Sequence, residues 1–211
     1  MTDAKRRLLD HLKRRGPSTA SSMAEVFGLT DAAVRQHLSS LASNGLVSQS
    51  SAAAMGRGRP ATVWSLTDLA ADLFPDRHSD LTLELISSIR TALGEEGLER
   101  VVQVRTNSQR VVYGQLVSAA SSWQDRVQAL ATRRSDEGYM AEVVVHDDYL
   151  LLIENHCPIC DAATSCTNLC QAELDLFQAT LGAEVEVSRI EHLLSGDRRC
   201  VYRIGPVTDG R

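Results

Sequence analysis

Apolar residues recur at helical spacing through the first 43 positions of the chain. Leu8, Leu9 and Leu12 give one apolar face to a helix expected from Ala4 to Arg15, and Gly16-Pro17 ends it. A second, short helix is expected from Thr19 to Phe27, offering Met23, Val26 and Phe27 to a core and closed by Gly28. Thr30 suits the N-cap of a third, Asp31 to Ser43, with Asp31 where the helix dipole favours a carboxylate. Its buried stripe is Val34, Leu38 and Leu41, and Asn44-Gly45 ends it in the left-handed conformation. The short Gly28-Leu29 connection makes the second and third helices a helix-turn-helix, the third being the recognition helix.

The period then shortens. Leu46 to Ser48 and Thr62 to Leu66 read as two strands joined by a small-residue loop ending in Gly56-Arg57-Gly58-Arg59-Pro60. A strand pair with such a tip, following a helix-turn-helix, is a wing. Thr67 to Phe74 reads as a further helix stopped by Pro75. From His78 to Leu93 a helix with Leu81, Leu83, Leu85, Ile86 and Ile89 is apolar on more than one side. Pairing with its copy in a homodimer would explain that width, as would burial within its own body. Helices at Arg100 to Val117 and Ser122 to Arg134 follow. Strands are expected at Met140 to His146, Tyr149 to Glu154, Glu184 to Ser188 and Arg199 to Ile204, with a helix at Thr167 to Leu181 among them. The fold class is α+β. It comprises an N-terminal winged helix-turn-helix (1–75), linker or dimerisation helices (76–137) and a Cys-rich α+β sensor domain with a small antiparallel sheet (138–211).

Charge sharpens this division. The chain of 211 residues carries −5 overall, yet residues 1–66 hold nine Lys/Arg against four Asp/Glu, leaving −10 for the rest. A basic head on an acidic body fits double-stranded DNA as partner. On the recognition helix Arg35, Gln36 and Ser39 face outward beside Thr30, and Arg and Gln can address guanine and adenine edges. Arg57 and Arg59, spaced by glycines, suit phosphate or minor-groove contact. Arg6, Arg7, Arg14 and Arg15 fit a solvated helix face better than DNA contacts. A dimer would call for a palindromic operator. No signal segment and no apolar run near the roughly 20 residues needed to span a bilayer is present, so a cytoplasmic protein with no membrane partner is expected.

None of the five cysteines precedes Cys157; Cys157, Cys160, Cys166 and Cys170 cluster and Cys200 stands alone. In a cytoplasmic protein such clustering favours metal or cluster ligation over disulfides. Cys157-Pro158-Ile159-Cys160 is a Cys-x2-Cys knuckle after a strand. Cys166 and Cys170, four apart near a helix N-terminus, could share one side, and that terminus would lower a thiol pKa. Spacing leaves zinc and an iron-sulfur cluster both open. No nucleophile-base pair, phosphate loop or paired-carboxylate motif is evident, and His146-Asp147-Asp148 reads as a polar turn, so an enzyme is not expected.

The ordered set Thr30-Asp31-Ala32-Ala33-Val34-Arg35-Gln36-His37-Leu38, Gly56 to Ala61 with Trp64, Leu73-Phe74-Pro75-Asp76, Glu154-Asn155, Cys157-Pro158-Ile159, Leu169-Cys170 with Glu173-Leu174, and Gly196-Asp197 with Cys200 and Tyr202 resembles bacterial DeoR/ArsR-like regulators of the SufR type. These are iron-sulfur-sensing repressors of cluster-assembly operons. The resemblance implies a 4Fe-4S or 2Fe-2S cluster on Cys157, Cys170 and Cys200. Cys160, Cys166 and the intervening His156 depart from the simplest pattern and leave the fourth ligand open. Cys166 is the first choice by its offset from Cys170, then Cys160. The function expected is a homodimeric repressor whose operator affinity follows its cluster; the alternative is a winged-helix regulator with structural zinc and a separate small-molecule effector.

Overall fold

The computed structural model describes residues 1–51 and 61–207. It divides into two compact units, Met1–Asp76 and Arg77–Arg211. In the first, helices α1 (Asp3–Arg15), α2 (Ala20–Phe27) and α3 (Asp31–Ser43) enclose Leu8, Leu9, Met23, Val34, Leu38 and Leu41. Strands β1 (Ser18–Thr19), β2 (Val47–Ser51) and β3 (Thr62–Leu66) form an antiparallel sheet in the order β1-β3-β2, which sets Trp64 into the same core. Two threonines start the helix-turn-helix. Thr19 accepts from the Ser22 amide at 3.1 Å and Thr30 from the Ala33 amide at 3.2 Å, each cap contributing about 1 kcal/mol. Gly28 takes φ 65°, a left-handed turn that releases the chain from α2 toward α3.

Three local expectations change. Val26 is 60% exposed, because the two-turn α2 buries Ala20, Met23 and Ala24 and turns Val26 outward. The stretch after Thr67 is a 3-10 turn, Asp68–Leu73, in place of an α-helix. Strand β1 went unpredicted since two residues have no period; it exists through its pairing of Ser18 with Trp64 and Thr19 with Val63.

The second unit begins with α4 (His78–Val117), whose helical conformation is interrupted at Gly94 by φ 72° and ψ −179°. Helix α5 (Trp123–Asp136) follows, then β4 (Ala141–Val145), β5 (Leu150–Glu154), α6 (Cys160–Ser165), α7 (Asn168–Leu181), β6 (Val185–Glu191) and β7 (Cys200–Pro206). The four strands form one antiparallel sheet, β4-β5-β7-β6. Helix α5 packs on β4 and α7 on β6, burying Val127, Leu130, Leu152, Leu176, Phe177 and Ile204. The helical stretch expected as a separate linker thus lies in the same compact unit as the sheet. Helix α6 had not been foreseen: Cys160 to Ser165 is too short to show an amphipathic repeat. Along α4, Ile86, Leu98 and Val102 are buried, while Leu81, Leu85 and Val104 are exposed. Among the described residues no helix is long and apolar enough to cross a membrane.

Candidate functional site

In the first unit the outward face of α3 carries Arg35, Gln36 and Ser39, all exposed. Arg35 Nε donates to Asp31 Oδ2 at 2.5 Å, one helical turn earlier, and the Ser21 hydroxyl donates to Asp31 Oδ1 at 2.9 Å. The Arg35 and Ser21 hydrogen bonds hold the Asp31 carboxyl below its usual pKa. Thr30 Oγ1 is engaged in capping α3. The basic residues of α1 are partly structural. Lys5 Nζ donates to Ser40 Oγ at 2.7 Å, Arg6 Nη1 donates to the Leu73 carbonyl at 2.7 Å, and the Arg7 guanidinium lies 4.9 Å from the Phe27 ring centre. Arg57 and Arg59 lie outside the described residues.

The second unit gathers its thiols unevenly. All five cysteines are free. Cys157 follows β5, Cys160 opens α6 one turn later with its amide donating to the Cys157 carbonyl at 3.2 Å, Cys170 lies in the first turn of α7, and Cys200 starts β7. Burial pushes the Cys157 thiol up to about 12, helped by the Glu173 carboxylate and by the neighbouring thiols of Cys160 and Cys200. Burial likewise raises Cys170 to about 11, against the opposing pull of Arg189, with Glu173, Cys200 and Cys160 adding to the rise. Cys200 is also raised by burial, while the Leu193 amide that donates to it works the other way. Cys160 and Cys200 thus act electrostatically on both Cys157 and Cys170, which links thiols from three chain segments. The helix N-terminus was expected to lower the Cys170 pKa; desolvation outweighs that dipole here.

Cys166 is placed elsewhere. It is buried with Ile86, Leu98, Val102 and Leu169 between α4 and α7, and lines an apolar groove of about 220 Å³. Its four-residue offset from Cys170 suggested a shared helix face, but Cys166 is the C-cap of α6, and the chain turns before α7 begins. Cys160, the second choice from spacing, is the one in the field of Cys157 and Cys170. Among the described residues no three His, Cys, Asp or Glu side chains converge on a single ion-sized point.

Around the thiols stands a set of charges that hydrophobic patterning could not reveal. Arg134, fully buried, donates from Nε to Glu154 at 2.5 Å and from Nη2 to Glu173 at 3.1 Å, with Tyr139 donating to the same Glu173 oxygen at 2.8 Å. Burial opposes its charge, but Glu154 and Glu173 overcome that and hold it protonated. Glu154 is paired in register with Cys200, so this network lies directly beside the thiol site. Arg189 on β6 donates to the Cys170 carbonyl and stacks 5.2 Å from the Tyr202 ring centre. Among the described residues, its Nε and His192 Nε2 are buried without a partner. At the other end of the sheet, His146, Asp147, Asp148 and Tyr149 border a cavity of about 640 Å³, with His146 stacked on Tyr149 at 4.5 Å.

A helix-turn-helix domain model matches residues 3–49. The head is a helix-turn-helix domain. The chain matches no curated protein. Among solved structures it has partial likeness to the adhesin competence repressor of Streptococcus pyogenes, at 22% identity over 52% of this chain and 80% of that one, TM-score 0.32. A zinc-responsive MarR family member, ZitR of Lactococcus lactis, matches at 24% identity over 49% and 71%, TM-score 0.32. A ZitR mutant in complex with DNA matches at 23% over 52% and 73%, TM-score 0.31. Likeness at these scores carries no functional assignment.

Proposed function

We propose that the protein is a DNA-binding transcriptional regulator, acting as a homodimeric repressor, whose operator affinity is set by an iron-sulfur cluster on Cys157, Cys160, Cys170 and Cys200. The observation carrying this reading is that Cys160 and Cys200 both act on Cys157 and on Cys170, which links thiols of the β5–α6 turn, α7 and β7. The donor set fits such a group: thiolates are its ordinary ligands, and Arg189, with an unpartnered Nε beside Cys170, offers a cation and an N–H to an anionic guest. When bound, the cluster supplies a link between three chain segments that depends on iron supply and oxidation state.

The protein's own residues do the rest. Cys157 and Cys160 would tie the end of β5 and the start of α6 to the group, Cys170 would tie α7, and Cys200 would tie β7 next to Glu154. Loss of the common guest frees these segments from one another, a change in packing that alters affinity at the DNA-binding head. On that head Arg35, Gln36 and Ser39 of α3 address base edges, and Arg57 and Arg59 address phosphates or the minor groove. The exposed apolar residues of α4, among them Leu81, Leu85 and Val104, are covered by a second copy, and a palindromic operator follows from that two-fold symmetry.

Anaerobic purification tests the reading. The expected result is a brown protein with visible absorption, bound iron and acid-labile sulfide, and DNA affinity that changes when the cluster is removed. Structural zinc is the second reading, since thiolates as a class also ligate zinc, but no three such side chains are grouped to hold one ion among the described residues. Colourless protein with stoichiometric zinc, and operator binding indifferent to iron or oxidants, would replace the cluster with zinc.

A further inference from the structure

Arg189 is held in an unusual way. It lies opposite Tyr202 on the neighbouring strand, just before a register shift between Arg189 and Glu191 that leaves Ile190 unpaired and 53% exposed. Such bulges re-aim side chains. Here the guanidinium lies over the Tyr202 ring, with Nη2 donating to the Cys170 carbonyl and reaching the Tyr202 hydroxyl at 3.5 Å. Nη2 is thereby occupied, whereas Nε is buried with no acceptor. An unpaired buried N–H on a cation costs stability. Ring and carbonyl nevertheless hold it against Tyr202 and the Cys170 carbonyl, and the thiols of Cys170 and Cys200 both act on it electrostatically.

We infer that Arg189 is the positioning residue of the thiol site: its Nε–H would donate to a bound iron-sulfur group, and its charge would offset the negative charge gathered there. This rests on the cluster reading above. A cation with a buried, unpartnered N–H is suited to an anionic guest that presents acceptor atoms of its own, and cluster potentials follow net charge and hydrogen bonds to the sulfurs. Reduction adds negative charge, so Arg189 favours the reduced form and raises the potential. Glu154 and Glu173 act on Cys200 in the opposite sense to Arg189, but their charges are already paired with Arg134.

The full-length wild type, Arg189→Lys and Arg189→Met are reconstituted anaerobically with ferrous iron and sulfide. Iron and sulfide content, visible spectrum, rate of iron loss to a chelator, and midpoint potential in a dithionite titration are then read. Dithionite dissociates into two sulfur dioxide radical anions, each giving one electron to a cluster and ending as sulfite, with no bond of the protein made or broken. Arg189→Met is expected to move the potential to more negative values and to lose iron roughly tenfold faster. Arg189→Lys, keeping the charge but not Nε, is expected between it and wild type. Circular dichroism confirms folding; should Arg189→Met fail to fold, Arg189→Lys decides alone. An Arg189→Lys protein identical to wild type in potential and iron loss overturns the hydrogen-bonding role, and an unshifted Arg189→Met overturns the role of charge as well. Wild type that takes up no iron and sulfide overturns the cluster reading itself, an outcome distinct from both.

Discussion

Arg35 and Asp31 are joined across one turn of α3, Nε to Oδ2 at 2.5 Å, on the exposed face proposed to meet DNA. The guanidinium that would read a base is therefore held by a carboxylate that DNA phosphates repel. Both side chains are exposed, so the pair contributes little to stability, and its consequence lies in recognition.

Replacing Arg35 by Ala is expected to weaken binding to an operator selected from a random-sequence library by about 1–3 kcal/mol and to relax base preference at one position. Asp31→Asn should act oppositely, tightening binding by freeing Arg35 and removing a like charge from the interface. Fluorescence anisotropy with selected and scrambled duplexes measures both. Unchanged affinity in Arg35→Ala would remove that residue from the interface.

Cys160 and Cys166 separate cleanly by position. Cys160→Ser is expected to lower iron and sulfide per chain after reconstitution. Cys166→Ser should leave them at wild-type level while destabilising the cluster of Ile86, Leu98 and Val102 around it. The reverse pattern would return Cys166 to the ligand set.

Arg134 neutralises two buried carboxylates at once. Arg134→Met, which leaves Glu154 and Glu173 uncompensated, is expected to cost about 3–5 kcal/mol in urea unfolding. Glu173→Gln, able to keep its contacts to Arg134 and Tyr139, should cost less. A loss below about 1 kcal/mol in Arg134→Met would mean the network is not closed as described.

Thiol reactivity carries a pH prediction. In metal-free protein Cys157 and Cys170 lie at about 12 and 11, so both are protonated at pH 8. Relative to a free cysteine near 8.5, the thiolate fraction falls on the order of 10³-fold for Cys157 and 10²-fold for Cys170. Iodoacetamide labelling followed by peptide mass spectrometry should show both slow at pH 8, rising about tenfold per pH unit, because the rate follows the thiolate until its pKa is reached. Rapid labelling at pH 7 would show that these thiols are not held in their protonated form.

How much was legible beforehand depends on the range of the interactions concerned. The three helices of the head, the Thr30 cap, the stripe of Val34, Leu38 and Leu41 and the outward position of Arg35 all follow from spacing within one helix, where a side chain's face is fixed by its residue number. The β4–β5 hairpin and the strands near the C-terminus were readable for the same reason. Sequence alone also determined that five thiols lie in the last third of the chain, within an acidic body, and that a basic head precedes it.

Which of those thiols meet was decided by tertiary structure. The end of α6 separates Cys166 from Cys170 despite their helical offset, while a return strand brings Cys200 to the thiols around the β5–α6 turn. Arg134 meets Glu154 and Glu173 across 20 and 39 residues of chain, and the bulge after Arg189 turns that side chain toward Cys170. No local period encodes such meetings. They arise because burying the faces of α5, α7 and the sheet forces these charges and thiols into one neighbourhood, where each must find its partner or wait for one.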